Sequence, residues 1–336
     1  MRVHLAGASA ILALVTLSAC GSENGSGGGG ESSQSESSQS ESSQSESSDA
    51  VTITDSQGRD VEVALDPETV VATDWSAIRT LSDLGVEVDA VPVPNGGLPE
   101  DLSGYASEDV PKVGDVFEPD YEAIAAMEPD LVVVGSRSGT PEVVEEFEKF
   151  APAVLDMSVR TENPAEMLEE TGQRVRQLGE VFNKTDDAEK QMTDLESQVE
   201  ETRSKVEEQG RTAMFVQVSE GTVGAYGPTS RFGFLYEGFG FAPTDAPIDE
   251  EGSHGEEISQ EFFAQYNPGA LFVLDRSKAI GQSDTPALDV LDNDLVGGTD
   301  AAQDDKIVEV DGFSWYLAPN APSSLQQMVG DVGQAL

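Results

Sequence analysis

The feature that most constrains the fold is an order of helix, proline, buried strand and arginine that occurs in both halves of the sequence. A glutamate near the start of the helix, the proline and the arginine are separated by 7 and 8 positions in both halves. The two sets are Glu122, Pro129 and Arg137, and Glu261, Pro268 and Arg276. Alternating helices and strands predict parallel α/β sheets, and the matching spacing predicts two related lobes.

Periodicity places the other elements around this repeat. The predicted helices are 75–84, 121–127, 164–182, 187–208 and 258–266. The predicted strands are 70–71, 131–134 and 271–274, together with a β-hairpin over 51–63. The apolar stripes of the two helices between the halves predict surface helices on a core, and a long helix there would act as a stiff strut.

The chain is predicted to contain five segments. They are a signal peptide over 1–19, a tether over 20–50, a first α/β lobe over 51–163, an inter-lobe helix over 164–183 and a second α/β lobe over 184–336. Residues 21–50 show no apolar periodicity and are rich in Gly, Ser and Glu, so we expect them to be disordered and to act as a spacer.

The start of the chain has the layout of a secretory signal. Arg2 precedes an apolar run over 5–17, which is too short to span a bilayer, and Leu-Ser-Ala leads to Cys20. An ordinary cleaved signal peptide is one interpretation. The ending also resembles the bacterial lipoprotein signal, in which the cysteine becomes lipidated, and Cys20 is the single cysteine. We therefore expect lipidation at Cys20 and anchoring outside the cytoplasmic membrane, with the long tether fitting a Gram-positive surface.

Composition excludes several kinds of partner and site. The 64 acidic and 18 basic residues give a net charge of −46, so nucleic acid is excluded as a partner. One cysteine excludes an internal disulfide and thiolate zinc clusters, and two histidines, His4 and His254, exclude multi-histidine sites. A solvated, salt-adapted surface is the simplest interpretation of the acidic surplus.

Arg137 and Arg276 both lie just past the carboxyl end of a predicted strand, and open α/β sheets bind ligands at that edge. Singly, each is as well explained as a surface charge, whereas the equivalent pair favours a ligand site. His254, the only histidine after the signal, lies in a Gly-rich acidic loop, 250–256. From the residues alone it is either a capping or surface histidine or a ligand.

Several motifs resemble one family, the substrate-binding lipoproteins of bacterial ABC importers for ferric siderophores, in its petrobactin and bis-catecholate branch. The stretches that carry the resemblance are Ala225-Tyr-Gly-Pro-Thr-Ser-Arg-Phe-Gly233, Ser253-His-Gly255, Val273-Leu-Asp-Arg276, Leu291-Asp-Asn293 and Trp315-Tyr-Leu317. The resemblance implies an α/β fold of two Rossmann-like lobes joined by a single long helix. It also implies capture of a ferric catecholate in the inter-lobe cleft, with no intrinsic cofactor.

The resemblance also implies which residues meet the ligand. Carried over by motif, they are Arg137, Arg231, Arg276, His254 and Tyr316. Guanidinium groups suit an anionic, delocalised complex. A tetradentate siderophore leaves coordination positions that His254 and Tyr316 would fill as direct Fe(III) ligands, whereas a hexadentate one leaves only hydrogen bonds to them. The aromatic candidates for the cleft wall, each equally explained as a core residue, are Tyr226, Trp315, Phe232 and Trp75.

Glu122 and Glu261 have a second implied role. In related importers, one glutamate on each lobe docks onto arginines of the membrane permease, and these two start equivalent helices. Acidic residues in a first turn also stabilise the helix dipole, so a structural role is the alternative. The implied partners are the siderophore, the permease with its ATPase, and the membrane through Cys20. We expect the protein to be a monomer.

Other functions fit the sequence less well. An enzyme is not predicted, because Gly135-Ser-Arg-Ser-Gly139 has arginine where a nucleophile elbow needs serine, and no P-loop or dinucleotide fingerprint occurs. A receptor of the same fold for haem, cobalamin or a ferric hydroxamate is the alternative. A zinc or manganese receptor would need several histidines.

Overall fold

The computed structural model describes residues 49–248, 255–282 and 284–336. The predicted signal peptide, Cys20, almost all of the tether and His254 therefore lie outside the described residues. None of the described helices is both long and apolar enough to cross a bilayer.

The first lobe is built on a small parallel sheet behind an N-terminal hairpin. Its elements are β1 (Ala50–Thr54), β2 (Asp60–Ala64), β3 (Val70–Ala72), α1 (Trp75–Asp83), α2 (Tyr121–Ala126), β4 (Leu131–Val134), α3 (Pro141–Phe147) and β5 (Val154–Asp156). The hairpin β1-β2 is antiparallel, as its alternating pattern predicts, and β3, β4 and β5 pair in parallel with β4 in the centre. A 3₁₀ turn covers Glu100–Ala106.

Two helices follow the first lobe. A 3₁₀ turn at Pro164–Glu166 leads into α4 (Met167–Val181), and α5 (Thr185–Gln209) begins a few residues later. A Cβ added at Gly179 of α4 would lie 2.7 Å from the Ala188 methyl of α5, so the absence of a side chain permits this close packing. Gly210 then ends α5 with a φ of 62°, a left-handed conformation that glycine adopts without strain.

The second lobe contains the larger sheet. Its elements are β6 (Thr212–Ser219), β7 (Thr222–Tyr226), α6 (Phe234–Glu237), β8 (Ala242–Pro243), β9 (Glu256–Ile258), α7 (Gln260–Tyr266), β10 (Ala270–Asp275), α8 (Arg276–Ala279), α9 (Ala287–Leu291), α10 (Asp294–Gly297), α11 (Asp300–Gln303), β11 (Ile307–Glu309) and α12 (Pro322–Gln334). The strand order is β11-β10-β6-β7-β9, with β8 beside β6. Ile258 ends β9 and is not helical, which corrects the predicted helix start, because its backbone pairs with Val223.

Strand alternation divides each sheet between two cores. In β4, Leu131 and Val133 join one large apolar cluster, whereas Val132 and Val134 face a smaller cluster under α3. In β10, alternate residues also enter the large cluster or a separate one on the far face of the second sheet. The large cluster therefore contains residues of both sheets, α4, α5 and α12, and the two lobes share it. We call it the shared core.

Hydrogen bonds fasten the C-terminal segment to α1 of the first lobe. Arg79, only 6% exposed, donates from Nε to Ser323 Oγ at 2.6 Å and from Nη1 to Ser314 Oγ at 3.2 Å. The backbone N–H of Ser323 donates to Asp83 Oδ2 at 2.9 Å. The end of the chain thus connects both lobes.

A second inter-lobe contact is made by backbone alone. A Cβ added at Gly96, in a first-lobe loop, would lie 2.4 Å from the Ala279 carbonyl oxygen of α8. A Cβ added at Gly281 would lie 2.9 Å from Gly96 Cα. The two glycines therefore allow the lobes to touch directly beside the helix that begins with Arg276.

Candidate functional site

A cleft of about 640 Å³ lies between the two lobes. The first lobe contributes Ser136 and Arg137, and the second contributes Tyr226, Arg231 and Tyr316. This brings together four of the five side chains that the family resemblance implies, if Arg276 is counted through its contact with Tyr316. The fifth, His254, lies outside the described residues.

Arg137 is positioned by the loop that follows β4. Its backbone N–H donates to Asp74 Oδ2 at 3.0 Å, and Asp74 also caps α1 by accepting from the Ser76 N–H at 2.8 Å. Burial raises the pKa of Asp74, and these hydrogen bonds offset only part of that rise. Gly135 leaves the space for this contact, because a Cβ there would lie 2.5 Å from the Asp74 carboxyl carbon. The loop therefore rests on a buried carboxyl group.

Arg231 and Arg276 approach from the second lobe. Arg276 follows β10 directly, as the sequence predicts, and starts α8. Its Nη1 donates to Ser219 Oγ at the end of β6, at 3.3 Å. Arg231 lies in the turn between β7 and α6. Its side chain is exposed to solvent at the cleft. The protein atoms around the guanidinium group still remove part of its hydration, and this desolvation lowers the pKa of Arg231.

All three arginines converge on Tyr316. Tyr316 lies in a π-helical turn, Phe313–Leu317, which we call the tyrosine turn. The guanidinium carbons of Arg231, Arg137 and Arg276 lie 4.5, 5.2 and 5.8 Å from the centre of the tyrosine ring. Arg276 Nε donates to Tyr316 Oη at 3.0 Å, and both Arg137 and Arg231 donate to the Tyr316 carbonyl, at 3.3 and 3.1 Å.

This arrangement favours the phenolate form of Tyr316. Burial by itself would raise the pKa of the hydroxyl, because Tyr316 is 8% exposed. The hydrogen bond from Arg276 and the charges of Arg276, Arg231 and Arg137 outweigh burial and hold the pKa of Tyr316 below its usual value. Tyr316 thus offers a phenolic oxygen whose lowered pKa makes its anionic form easier to reach.

The cleft also concentrates positive charge. Other arginines, such as Arg59, Arg176 and Arg203, form ion pairs with carboxylates. Within the described part of the chain, none of the three cleft arginines forms such a pair. In a protein of net charge −46, this leaves three guanidinium groups available to one anionic ligand.

The aromatic candidates divide between the cleft and the core. Tyr226 lines the cleft, and burial raises the pKa of its hydroxyl. Trp315 lies in the core, which corrects its predicted place on the cleft wall: it is 2% exposed and donates from Nε1 to Asp331 Oδ2 at 2.8 Å. Trp75 and Phe232 are also buried, against Phe313 and Phe215 respectively.

Three further residues at the site escaped the sequence analysis. Ser136 and Asn320 line the cleft on opposite lobes, and Asn320 Nδ2 donates to Ser136 Oγ at 3.2 Å. Phe117 is an exposed first-lobe residue whose ring centre lies 5.2 Å from the Arg137 guanidinium carbon. Ser136 could have been predicted as a site residue because it is next to Arg137 in the sequence. Asn320 and Phe117 could not, because only folding brings them to the cleft.

Glu122 and Glu261 occupy equivalent places. Each is exposed in the first turn of a short helix, α2 or α7, which leads into the strand that precedes Arg137 or Arg276. Backbone and Ser259 hydrogen bonds lower the pKa of Glu261, so it is charged at neutral pH.

The described residues contain no group of three or more His, Cys, Asp or Glu side chains that would hold a metal ion. The cleft instead offers fixed cations, a phenolic oxygen and aromatic surface. Guanidinium groups in such a cleft favour an anionic ligand. Fold and cleft together define a two-lobed ligand-binding protein.

The comparisons identify the family. Residues 70–312 match the family described as periplasmic binding protein, and the chain belongs to it. This confirms the resemblance, at the level of the family, and the predicted α/β fold class of two lobes. Members of this family are substrate-binding proteins.

Three relatives are similar along most of the chain. The petrobactin-binding protein YclQ of Bacillus subtilis is 28% identical over 328 residues, covering 97% of this chain and 96% of YclQ. The ferric-anguibactin-binding protein FatB of Vibrio anguillarum is 28% identical over 268 residues, covering 79% and 81%. The crystal structure of the periplasmic catecholate-siderophore binding protein VctP from Vibrio cholerae matches with a TM-score of 0.77 and 31% identity, covering 84% of this chain and 99% of VctP.

Proposed function

We propose that this protein is the substrate-binding component of an ABC importer and that it captures a ferric siderophore of the catecholate type in its inter-lobe cleft. The observation that carries the proposal is the convergence of three guanidinium groups, free of carboxylates among the described residues, on one phenolic ring. The ligands named for the three relatives support the same cargo class.

The chemistry of the cargo explains the residue types. A ferric catecholate is an anion whose charge is spread over several oxygens, and planar guanidinium groups provide forked hydrogen bonds and stack on rings. Long-range attraction does not help this anion to approach a strongly acidic protein. Selectivity therefore depends on the short-range contacts inside the cleft.

Tyr316 is the proposed protein-derived oxygen ligand. Ferric iron is a hard cation and suits phenolate oxygen, and the three arginines favour that form of Tyr316. With a tetradentate siderophore, Tyr316 and His254 fill the open positions on the iron. With a hexadentate siderophore they act through hydrogen bonds.

The remaining features belong to delivery. Glu122 and Glu261 dock the lobes onto the permease, which passes the cargo inward with energy from its ATPase. Residues 1–19 are a signal peptide, and lipidated Cys20 with the tether to residue 50 holds the protein, as a monomer, outside the cytoplasmic membrane. The lobes are 51–163 and 184–336, with the connecting helix between them.

The test is a fluorescence titration of the soluble chain from Asp49, which retains Trp75 and Trp315. The ligands are ferric bis-catecholate, ferric tris-catecholate, ferric hydroxamate, haem and cobalamin at fixed salt, with each iron-free catecholate as a control. Saturable quenching by ferric catecholates at submicromolar concentration is expected. Silence with catecholates and saturation by another ligand would overturn the catecholate assignment in favour of that cargo.

A further inference from the structure

Phe117 is the most exposed of the large apolar residues in the described part of the chain. Its side chain is 61% exposed, in a protein whose net charge is −46. Among the described residues, its only ring or cation contact is with Arg137, whose guanidinium carbon lies 5.2 Å from the phenyl centre. Such a distance is typical of a cation–π interaction.

The same guanidinium group meets a second ring from the other lobe. Its carbon also lies 5.2 Å from the centre of the Tyr316 ring, and its Nη1 donates to the Tyr316 carbonyl at 3.3 Å. Arg137 is therefore held between a first-lobe ring and a second-lobe ring. No other cleft arginine contacts an aromatic ring of the first lobe among the described residues.

The loop that carries Phe117 is fixed by its own hydrogen bonds. Asp115 Oδ1 accepts from the Phe117 N–H at 2.9 Å, and the Asp115 N–H donates to the Glu118 carbonyl at 3.0 Å. Asn95 Nδ2 donates a hydrogen bond to Asp115 Oδ2 at 2.9 Å. Gly114 starts the loop with a φ of 88°, and a Cβ there would lie 2.5 Å from the Glu118 carbonyl oxygen. The ring is thus displayed from a preorganised turn.

We propose that Phe117 is a positioning residue that fixes the guanidinium group of Arg137 for the ligand; its effect on binding rests on the proposed function. An arginine side chain has many rotamers, and ordering it only when the ligand arrives would reduce affinity. Phe117 and Tyr316 hold the planar group in place before the ligand enters. An exposed aromatic side chain that serves no core is explained by this role.

The first experiment measures the free protein and does not depend on the cargo. The Arg137 Nε–Hε signal is assigned by ¹⁵N NMR in wild type, Phe117→Ala, Phe117→Trp and the control Val93→Ala, which alters another exposed apolar residue of the first lobe. We expect Phe117→Ala to shift this signal towards its random-coil position and lower its order parameter. Phe117→Trp and Val93→Ala should retain the wild-type order. An unchanged signal in Phe117→Ala overturns the proposal.

The second experiment measures affinity for ferric bis-catecholate. Phe117→Ala should weaken binding about three- to tenfold, and Phe117→Trp should restore it. In an Arg137→Gln background, Phe117→Ala should have no further effect. An equal loss in both backgrounds shows that Phe117 acts independently of Arg137 and overturns the proposal, as does full rescue by Phe117→Leu. If wild type binds no ferric catecholate, the cargo assignment fails, and the NMR result decides the role of Phe117 separately.

Discussion

At the residue scale, the cleft is positively charged although the protein as a whole is strongly negative. Arg137, Arg231 and Arg276 surround Tyr316 in a chain whose net charge is −46. Grouping three cations costs electrostatic free energy unless an anion lies among them, and the same three charges hold the pKa of Tyr316 below its usual value. The cleft is therefore suited to an anion that lies among the three guanidinium groups.

The first prediction concerns the ionisation of Tyr316. Because the arginines favour the phenolate, Tyr316 should ionise below the ordinary value of 10.0, whereas Tyr226 should ionise above it. Absorbance at 295 nm during an alkaline titration measures this. The linked stabilisation is fully present above the unfolded-state pKa and is lost as pH falls through the lowered pKa.

Two variants check the assignment of that early ionisation. Tyr316→Phe should remove it, and Arg276→Gln should move it upward because the hydrogen bond to Oη is lost. A Tyr316→Phe titration identical to that of wild type would disprove the tuned phenolate.

The second prediction concerns the three arginines. Replacing Arg137, Arg231 or Arg276 by Gln should weaken ferric catecholate binding by roughly 10- to 100-fold, because each change removes a charge-assisted hydrogen bond. Arg203→Gln is the matched control, since Arg203 is paired with Glu207 on the surface of α5. Affinities are measured by fluorescence titration. Equal losses in the control and the cleft variants would mean that net charge, and not site geometry, sets affinity.

At the element scale, loops set the spacing between the lobes beside α8. The third prediction is that Gly96→Ala weakens binding and lowers stability by about 1–3 kcal/mol, because a Cβ would meet the Ala279 carbonyl and the φ of 117° strains any other residue. Chemical denaturation and ligand titration measure both effects.

Gly97→Ala provides the control for this loop. Nothing lies within 4 Å of a Cβ at Gly97, and its φ is not left-handed, so stability should change by less than about 0.5 kcal/mol. If Gly96→Ala and Gly97→Ala have the same stability to denaturant and the same ligand affinity, the contact between Gly96 and α8 does not set the lobe spacing.

The sequence predicted those parts of the site that depend on the order of neighbouring elements along the chain. Arg137 and Arg276 follow strands, and the end of a strand can be located from periodicity. Trp315 was placed wrongly because neighbouring residues in a helical turn point in different directions, so Tyr316 faces the cleft while Trp315 enters the core. Phe117 lies in an irregular loop, and only folding brings it to Arg137.

At the scale of the whole molecule, the shared core joins the lobes. Side chains from both sheets, α4, α5 and α12 pack in one cluster, and Arg79 bonds α1 to the C-terminal segment. Opening the cleft widely would expose this apolar surface to water. Small adjustments of loops and side chains are therefore expected on binding.

The fourth prediction concerns charge repulsion across the whole surface. Raising salt from 0.01 to 0.15 M shortens the screening length from about 30 to about 8 Å, so the melting temperature of this acidic protein should rise over that range. Thermal unfolding followed by circular dichroism measures it. A rise confined to salt above about 1 M would indicate a general salting-out effect and contradict the role of repulsion.

The bonds between α1 and the C-terminal segment also affect how fast the protein folds. Arg79 and Ser323 are separated by 244 positions, so this contact forms only after a very long loop has closed. Contacts of such high sequence separation slow folding, and each sheet assembles locally sooner than its shared face is covered. Until α12 docks, the folding chain has an unfinished apolar surface, and this interval is its period of greatest exposure to aggregation.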